Sequence, residues 1–197
     1  MKKIPMLFER IWENGNVAGI TDQVIPGMEW VLRGEGTATI KWDGSCCAII
    51  DGKLYRRFDA KEGRRIPEGA IPCQLEPDGI TGHWPHWVKC RKNNPNDKWY
   101  LEAFENAKET SDYLLSKAHV DGRDVDTFEA IGLHFNGNPY RMETDILVSH
   151  GMEAVKCERS FEGIREFIVN HNVEGLVFWK DGEPKCKIRY HDFFPEK

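Results

Sequence analysis

Residues 37–47 read TATIKWDGSCC, and the interpretation of the whole sequence depends on them. Alternating and β-branched residues at 37–42 predict a strand, and the Asp43-Gly44 pair predicts a tight turn after it. Lys41 precedes that turn by two positions, so it is either an ordinary strand residue or a nucleophile presented by the turn. A chance K-x-D-G has odds of roughly a few per cent from average composition, so the motif by itself is only suggestive.

The residues that follow predict strands and helices along one chain. Residues 46–50 and 53–58 predict two strands joined by a turn at Asp51-Gly52. Residues 59–97 are dominated by glycine, proline and charge, which predicts a long functional loop containing HWPHW. The further predicted elements are a mixed helix at 100–117, strands at 127–135 and 146–149, and a helix capped by Ser160. Because strands dominate and occur mostly in hairpins, we expect an antiparallel α+β architecture.

The end of the chain, EGLVFWKDGEPKCKIR at 174–189, predicts two strands around a second Asp-Gly turn. Period-two geometry places Glu174, Leu176 and Phe178 on one face of the first strand. The second strand has two predicted faces, Lys185, Lys187 and Arg189 on one and Cys186, Ile188 and Tyr190 on the other. The cationic face is either a solvated surface or the wall of a phosphate pocket, with Glu174 nearby to hold a metal ion.

A further carboxylate lies in TFEAIG at 127–132, a predicted strand that is otherwise apolar. Burial of Glu129 without a partner would be costly. Glu129 is therefore either salt-bridged in the core or used in a functional site.

Composition indicates a single globular domain over residues 1–197, with 40% hydrophobic and 30% charged residues. No apolar run reaches the roughly 18 residues of a membrane span, and the start MKKIPMLFERIWENG lacks the apolar stretch of a secretory signal. We therefore expect a cytoplasmic protein without a membrane partner. The net charge of −5 means that phosphate binding must use local clusters. Three basic clusters are present, Arg56/Arg57/Lys61/Arg64/Arg65, Lys89/Arg91/Lys92 and Lys185/Lys187/Arg189.

Six cysteines in a chain without a secretory signal are expected to be reduced thiols. Cys73, His83, His86 and Cys90 have side chains that suit zinc, but their spacing matches no standard zinc site. Packing or substrate contact is the alternative for this segment.

The order of these pieces resembles the covalent nucleotidyltransferase superfamily, which contains ATP-dependent DNA and RNA ligases and mRNA-capping enzymes. The closest resemblance is to a small family of stand-alone 5′-to-3′ RNA ligases of phages and animals, and it runs from IPMLF to the C-terminus. The motifs that carry it are KxDGSCC at 41–47, RFD at 57–59, GHWPHW at 82–87, ExxG at 129–132, NGNPY at 136–140, His-Gly at 150–151, EGLV at 174–177 and KxK at 185–187.

The resemblance implies an antiparallel-sheet adenylation domain that uses ATP and Mg²⁺, or Mn²⁺. Lys41 would form a lysyl-AMP intermediate, AMP would pass to an RNA 5′-phosphate, and an RNA 3′-hydroxyl would displace it. Only ten residues follow Lys187 in the 197-residue chain, so we expect no OB-fold domain. No obligate protein partner is implied. A phage-encoded protein of this family would act in the host cytoplasm, in RNA repair.

The residue roles are also implied by the resemblance. Lys41, Glu174 and Lys187 would be catalytic, with Glu174 also binding the metal. The nucleotide would be contacted by Ile40, Asp43, Gly44, Arg57, Glu129 and Lys185. Ile40 stands where many relatives have an acidic residue. If adenine is recognised there by backbone groups the change is harmless, whereas recognition by a side chain would put the choice of base in question. His150 is a candidate for stacking on adenine.

Two alternatives remain open for the sequence. One is a capping guanylyltransferase or a DNA ligase, although these enzymes usually carry an OB-fold domain after the KxK strand. The other is a non-catalytic module that binds RNA ends or nucleotides with the same pocket.

Overall fold

The computed structural model describes residues 2–79, 81–109, 118–120 and 123–195. These residues form two compact units, one built on Asp43–His150 and the other on Ile4–Trp42 together with the segment from Gly151 onward. The single domain predicted over residues 1–197 stays a prediction. No helix in the described ranges is long and apolar enough to cross a membrane.

Thirteen strands and three α-helices are described, numbered in chain order. The strands are β1 (Phe8–Glu13), β2 (Asn16–Val24), β3 (Thr37–Lys41), β4 (Ser45–Ile50), β5 (Lys53–Ala60), β6 (Ile71–Pro72), β7 (Trp84–Lys89), β8 (Ala118–Val120), β9 (Arg123–Ile131), β10 (Ile146–Ser149), β11 (Ala154–Val155), β12 (Gly175–Lys180) and β13 (Glu183–Arg189). The helices are α1 (Lys98–Glu109), α2 (Phe161–His171) and α3 (Tyr190–Phe193), and Pro95–Asp97 forms a 3-10 turn. Every pairing between these strands is antiparallel.

The unit containing β3 has a four-stranded sheet in the order β11-β3-β12-β13 and a separate hairpin of β1 and β2. Its core includes Leu176 and Ile188 from the sheet and Ile164 from α2, all fully buried. Ser160 caps α2 by accepting a hydrogen bond from the Gly163 amide at 3.0 Å, as the sequence predicts. Helix α2 therefore packs an apolar stripe against the strands that carry the C-terminal motifs.

The unit built on Asp43–His150 contains one seven-stranded sheet, ordered β10-β9-β4-β5-β7-β6 with β8 beside β9. Alternation along β4 gives this sheet two apolar faces. Cys47 packs with Phe104 of α1 and Phe128 of β9, whereas Ala48 packs with Trp87 of β7 on the other side. Glu129 neighbours Phe128 in β9, so alternation directs it away from α1.

Several predicted elements are corrected by the structure. The long loop predicted at 59–97 is wrong, because all of HWPHW except its first residue lies within β7 and Trp87 is fully buried. Because glycines and prolines surround this short strand, its sequence pattern did not indicate a strand. The strand predicted to reach residue 135 ends at Ile131, since Gly132 has a φ of 136° and a turn follows. Helix α1 begins at Lys98, and residues 110–117 of the predicted helix lie outside the described residues.

The hairpin of β1 and β2 was missed, although its turn has a clear sequence signal. Asn14-Gly15 has positive φ at both positions, as a two-residue type I′ hairpin requires.

Glu174 was predicted to share a strand face with Leu176 and Phe178, and this prediction is wrong for Glu174. Strand β12 begins at Gly175, so strict alternation does not extend to Glu174.

Candidate active site

Lys41 ends β3 and lies opposite Gly175, the first residue of β12. Its Nζ forms an ion pair with the carboxylate of Glu174, which immediately precedes that strand. Each of the two side chains is 23% exposed. The KxDG lysine and the EGLV glutamate are therefore in direct contact, in a partly buried position.

Gly175 allows the close strand approach beside this pair. A Cβ at this position would lie 2.0 Å from the carbonyl oxygen of Ile188 in β13. The backbone of Glu174 is fixed as well, because its carbonyl accepts a hydrogen bond from the Tyr190 amide at 2.6 Å. The EGLV glycine is thus a packing requirement that places Glu174 next to Lys41.

Lys187 shares a sheet face with Lys41. It lies opposite Val177, which in turn lies opposite Thr39, and Thr39 is two residues from Lys41 on the same face. The backbone of Lys187 is held on its other side, since its amide donates to the Pro5 carbonyl at 3.0 Å and its carbonyl accepts from the Leu7 amide at 2.8 Å. This second lysine is therefore on a fixed strand of the same sheet face, two strands from Lys41.

Lys185 and Ile40 have different environments. Lys185 is partly exposed, and its Nζ lies 2.6 Å from a carboxylate oxygen of Glu183. Ile40 is 9% exposed and packs in the core, with its amide donating to the Glu153 carbonyl at 3.1 Å. Ile40 thus has no polar side chain with which to recognise a base.

Arg189 does not belong to an open cationic row. Its guanidinium donates two hydrogen bonds to the fully buried Asp192, which also accepts one from Arg10. The hydrogen bonding to Asp192, which accepts from the guanidinium, raises the pKa of Arg189. Tyr190, predicted to lie on the apolar face of β13, instead begins α3 and is 46% exposed. The predicted alternation therefore holds only as far as Ile188.

The tight turn predicted at Asp43-Gly44 is wrong: Gly44 is a bend without positive φ, and the flanking strands β3 and β4 belong to different sheets. The NGNPY segment of the same unit holds this bend. Asn136 Nδ2 donates to Asp43 Oδ1 and to the Gly44 carbonyl, both at 2.8 Å. The Asp43 amide donates to the hydroxyl oxygen of Tyr140 at 2.5 Å. A Cβ at Gly44 would lie 2.2 Å from the Ala130 carbonyl oxygen. Sequence reasoning quoted NGNPY only as part of the resemblance and assigned Asn136 and Tyr140 no role.

Arg57 and Glu129, the predicted ribose ligands, both have partners within the Asp43–His150 unit. Arg57 Nε donates to Asp59 Oδ1 at 2.9 Å. A Glu129 carboxylate oxygen lies 2.9 Å from Nε2 of His150, and these side chains are 13% and 17% exposed. The predicted partner of the buried Glu129 is thus identified as His150. The Nδ1 atom of His150 is buried and has no hydrogen-bond partner among the described residues.

Cys46 lies directly opposite Glu129 across β4 and β9. Burial raises the pKa of the Cys46 thiol to about 12, with a contribution from the charge of Glu129. One ligand atom each from Cys46, Glu129 and His150 lie within 4.8 Å of one another, and within the described ranges this is the group of three such side chains close enough to share a metal ion. The alternative zinc segment is not among such groups: Cys90 is buried, and His86 Nδ1 lies 2.9 Å from the Trp84 carbonyl.

The first basic cluster is partly structural. Arg56 Nε donates to Asp97 Oδ1 at 2.8 Å, and Asp97 is 1% exposed. The other carboxylate oxygen of Asp97 accepts from the Arg91 amide and from Asn94, both at 2.9 Å. Arg56 therefore anchors the turn before α1.

Comparison with known proteins finds distant relatives that share the name RNA ligase 1. RNA ligase 1 of Rattus norvegicus is 26% identical over 221 aligned positions, covering 78% of this chain and 65% of the relative. RNA ligase 1 of Pongo abelii is 24% identical over 220 positions, with the same coverage. The chain is similar to RNA ligases. It spans slightly less than two thirds of the length of these relatives, and no protein-family model matches it.

Proposed function

We propose that this protein is an ATP-dependent RNA ligase that joins a 5′-phosphate to a 3′-hydroxyl through a lysyl-AMP intermediate. The observation that carries the proposal is the contact between Lys41 of KxDG and Glu174 of EGLV, two motifs from opposite ends of the chain. Similarity to RNA ligases over 78% of the chain supports it independently.

In the first step, Lys41 Nζ forms a bond to the α-phosphorus of ATP, and the bond from that phosphorus to the pyrophosphate oxygen breaks. The amine must exchange its contact with Glu174 and release its proton to solvent before it can attack, because an ion-paired ammonium has no free electron pair. ATP binding supplies that exchange in this proposal, since the phosphates compete for the cation.

In this step Lys187 stabilises the negative charge that develops on the α-phosphate. Charge develops on phosphate oxygens during transfer, and fixed cations aimed at that charge provide much of the rate enhancement. Lys187 meets the requirement because its strand is bound on both sides and it shares a face with Lys41. Lys185 is a second α-phosphate contact that would have to leave Glu183.

Glu174 fits a magnesium ion, because Mg²⁺ typically uses one or two carboxylates with the remaining positions taken by water and substrate phosphates. Bound there, Mg²⁺ would neutralise charge on phosphate oxygens. Arg57 and Glu129 would bind the ribose hydroxyls, and Asp43 and Gly44 would shape the bend that follows Lys41. These nucleotide roles derive from the resemblance.

Two further transfers complete the proposed reaction. An oxygen of the RNA 5′-phosphate attacks the phosphorus of lysyl-AMP, which frees Lys41 and leaves an adenylated RNA end. The 3′-hydroxyl oxygen then attacks the phosphorus of this 5′-phosphate, and the bond from that phosphorus to AMP breaks. Over the three steps the products are one phosphodiester, AMP and pyrophosphate, so the atoms balance.

The test is intact-mass measurement after incubation with Mg²⁺ and either ATP or GTP, followed by peptide mapping. We expect one adenylyl group on Lys41 with ATP, and none in Lys41→Ala. Lys180→Ala is the matched control, because Lys180 is also a lysine paired with a glutamate in the same unit. An adduct formed only with GTP would replace the proposal with a capping-type activity. RNA binding without any adduct would identify a non-catalytic module.

A further inference from the structure

A thiol, a carboxylate and an imidazole converge on one face of the sheet in the Asp43–His150 unit. Cys46 and Glu129 are direct cross-strand partners in β4 and β9, and Glu129 also lies opposite Val148 in β10. His150 follows β10 directly, and its amide donates to the Thr127 carbonyl of β9 at 3.1 Å. The three side chains are thus attached to adjacent paired strands rather than to a loose loop.

The spacing of these side chains approaches that of a metal site. Their ligand atoms all lie within 4.8 Å of one another. In a tetrahedral zinc site, bond lengths of about 2.0–2.3 Å separate neighbouring ligand atoms by roughly 3.3–3.8 Å. Rotamer adjustments of about 1 Å would therefore bring the three ligands onto one ion.

The donor set selects the kind of metal. Thiolate, imidazole and carboxylate together suit zinc, whereas magnesium and calcium prefer oxygen ligands alone. With Glu129 as a direct ligand, three protein ligands would leave one position of a tetrahedral ion for water or another ligand, and with Glu129 bound only to His150 two positions would remain. None of the three belongs to the Lys41 and Glu174 pair, so this ion would be distinct from the magnesium expected there.

An unsatisfied buried atom provides a second, independent observation. Nδ1 of His150 is buried and has no hydrogen-bond partner among the described residues. Buried polar atoms without a partner are uncommon in folded proteins, and a bound ion or water is a common explanation for them. Metal-binding histidines typically use one ring nitrogen for the ion and the other for a carboxylate, and Nε2 of His150 already lies 2.9 Å from Glu129.

We propose that Cys46, Glu129 and His150 form a binding site for Zn²⁺. Binding releases the thiol proton of Cys46 to solvent and requires the neutral form of His150. Glu129 serves either as a direct ligand or as the carboxylate that orients His150. The proposal concerns metal binding alone and does not depend on any activity with ATP or RNA.

The experiment uses the full chain, freed of metal by a chelator and titrated with Co²⁺ as a spectroscopic probe and with Zn²⁺ by calorimetry. We expect one ion per chain, with the absorption of a thiolate bound to tetrahedral cobalt. Cys46→Ser should abolish the thiolate absorption, and His150→Gln should weaken zinc binding by about tenfold or more. Melting curves recorded without metal establish that each variant is folded, and His150→Gln tests the site without altering the buried thiol.

Cys73→Ser is the matched control, since Cys73 is another partly buried thiol of the same unit and belongs to the alternative zinc segment. Its binding should equal that of the unaltered chain. The proposal is overturned if the unaltered chain shows no saturable binding, or if zinc binds equally well to folded Cys46→Ser and His150→Gln. Loss of binding in Cys73→Ser but not in Cys46→Ser would also overturn it.

Discussion

The side chains of Lys41 and Glu174 form an ion pair although 133 positions separate the residues in the chain. The register of β3 and β12 explains the contact, because Lys41 lies opposite the residue that follows Glu174. In the proposed function this pair is a resting arrangement. The carboxylate retains the amine beside the α-phosphate site and later becomes available for the metal.

Glu174→Gln should reduce lysyl-AMP formation by about 100-fold, since it keeps the shape of the side chain but removes the charge. The measurement is the initial rate of adduct formation by mass spectrometry at saturating ATP and Mg²⁺. Glu35→Gln is the control, because Glu35 accepts from Lys180 at 2.7 Å in an equivalent pair of the same unit. Equal rates in the two variants would remove Glu174 from the proposed site.

Asn136→Asp should lower the rate of adduct formation by about tenfold, which corresponds to about 1.4 kcal/mol. The substitution replaces the amide that donates to Asp43 and Gly44 with a carboxylate that repels Asp43. Asn138→Asp is the matched control: both residues have positive φ, and the Asn138 side chain contacts Met142 instead. If both variants lose activity equally, the segment as a whole matters and the specific contact with the bend does not.

Gly44→Ala should destabilise the fold by about 2–3 kcal/mol, because the added Cβ would lie 2.2 Å from the Ala130 carbonyl oxygen. The measurement is the midpoint of urea unfolding. Gly79→Ala provides a matched comparison, since Gly79 also follows an aspartate in the same unit and a Cβ there meets nothing within 4 Å. A midpoint for Gly44→Ala equal to that of Gly79→Ala would contradict the proposed close approach.

Local signals predicted much of the secondary structure. The strand at 37–42 and the Ser160 cap depend on residues that are neighbours in sequence, and both are confirmed. The pairing of β3 with β12 could not be predicted in this way, because register between distant strands is set by tertiary packing. The contact of Lys41 with Glu174 was therefore expected only from the resemblance.

Side-chain partners were the least predictable part of the candidate site. The sequence indicates that Glu129 needs a partner but not that His150 supplies it, because the pair forms only when β9 and β10 associate. The same limit applies to Asn136, whose contacts with the Asp43-Gly44 bend join residues 93 and 92 positions apart. The order of the motifs in the sequence indicated the type of reaction. Strand pairing within the sheets determines which side chains come into contact.

The buried Asp192 should make the stability of the chain depend on pH in the acidic range. Burial acts to raise the pKa of Asp192, but hydrogen bonds and charge from Arg189 and Arg10 outweigh it, so the pKa is lowered. A lowered folded-state pKa stabilises the fold above the ordinary aspartate pKa of about 4, and this stabilisation is lost as the pH falls through the folded value.

Asp192→Asn should therefore reduce the free energy of unfolding by about 2 kcal/mol at neutral pH and show a smaller decline on acidification. The measurement is urea unfolding at a series of pH values from about 7 to about 3. Asp181→Asn, in the turn between β12 and β13, is the control and should keep the decline of the unaltered chain. Parallel curves for Asp192→Asn and the unaltered chain would contradict the role of this carboxylate.

Zinc should inhibit adenylation if both proposals hold, because Glu129 is the expected ribose ligand and also belongs to the proposed zinc site. We expect a roughly tenfold lower rate of adduct formation when one equivalent of Zn²⁺ is added in the presence of excess Mg²⁺, and recovery after addition of a zinc chelator. Cys46→Ser should resist this inhibition, whereas Cys73→Ser should remain sensitive. Zinc binding without inhibition would keep the metal site and exclude Glu129 from ribose binding. Inhibition of equal strength in Cys46→Ser would instead place the inhibitory metal elsewhere, with the Glu174 carboxylate as the next site to test.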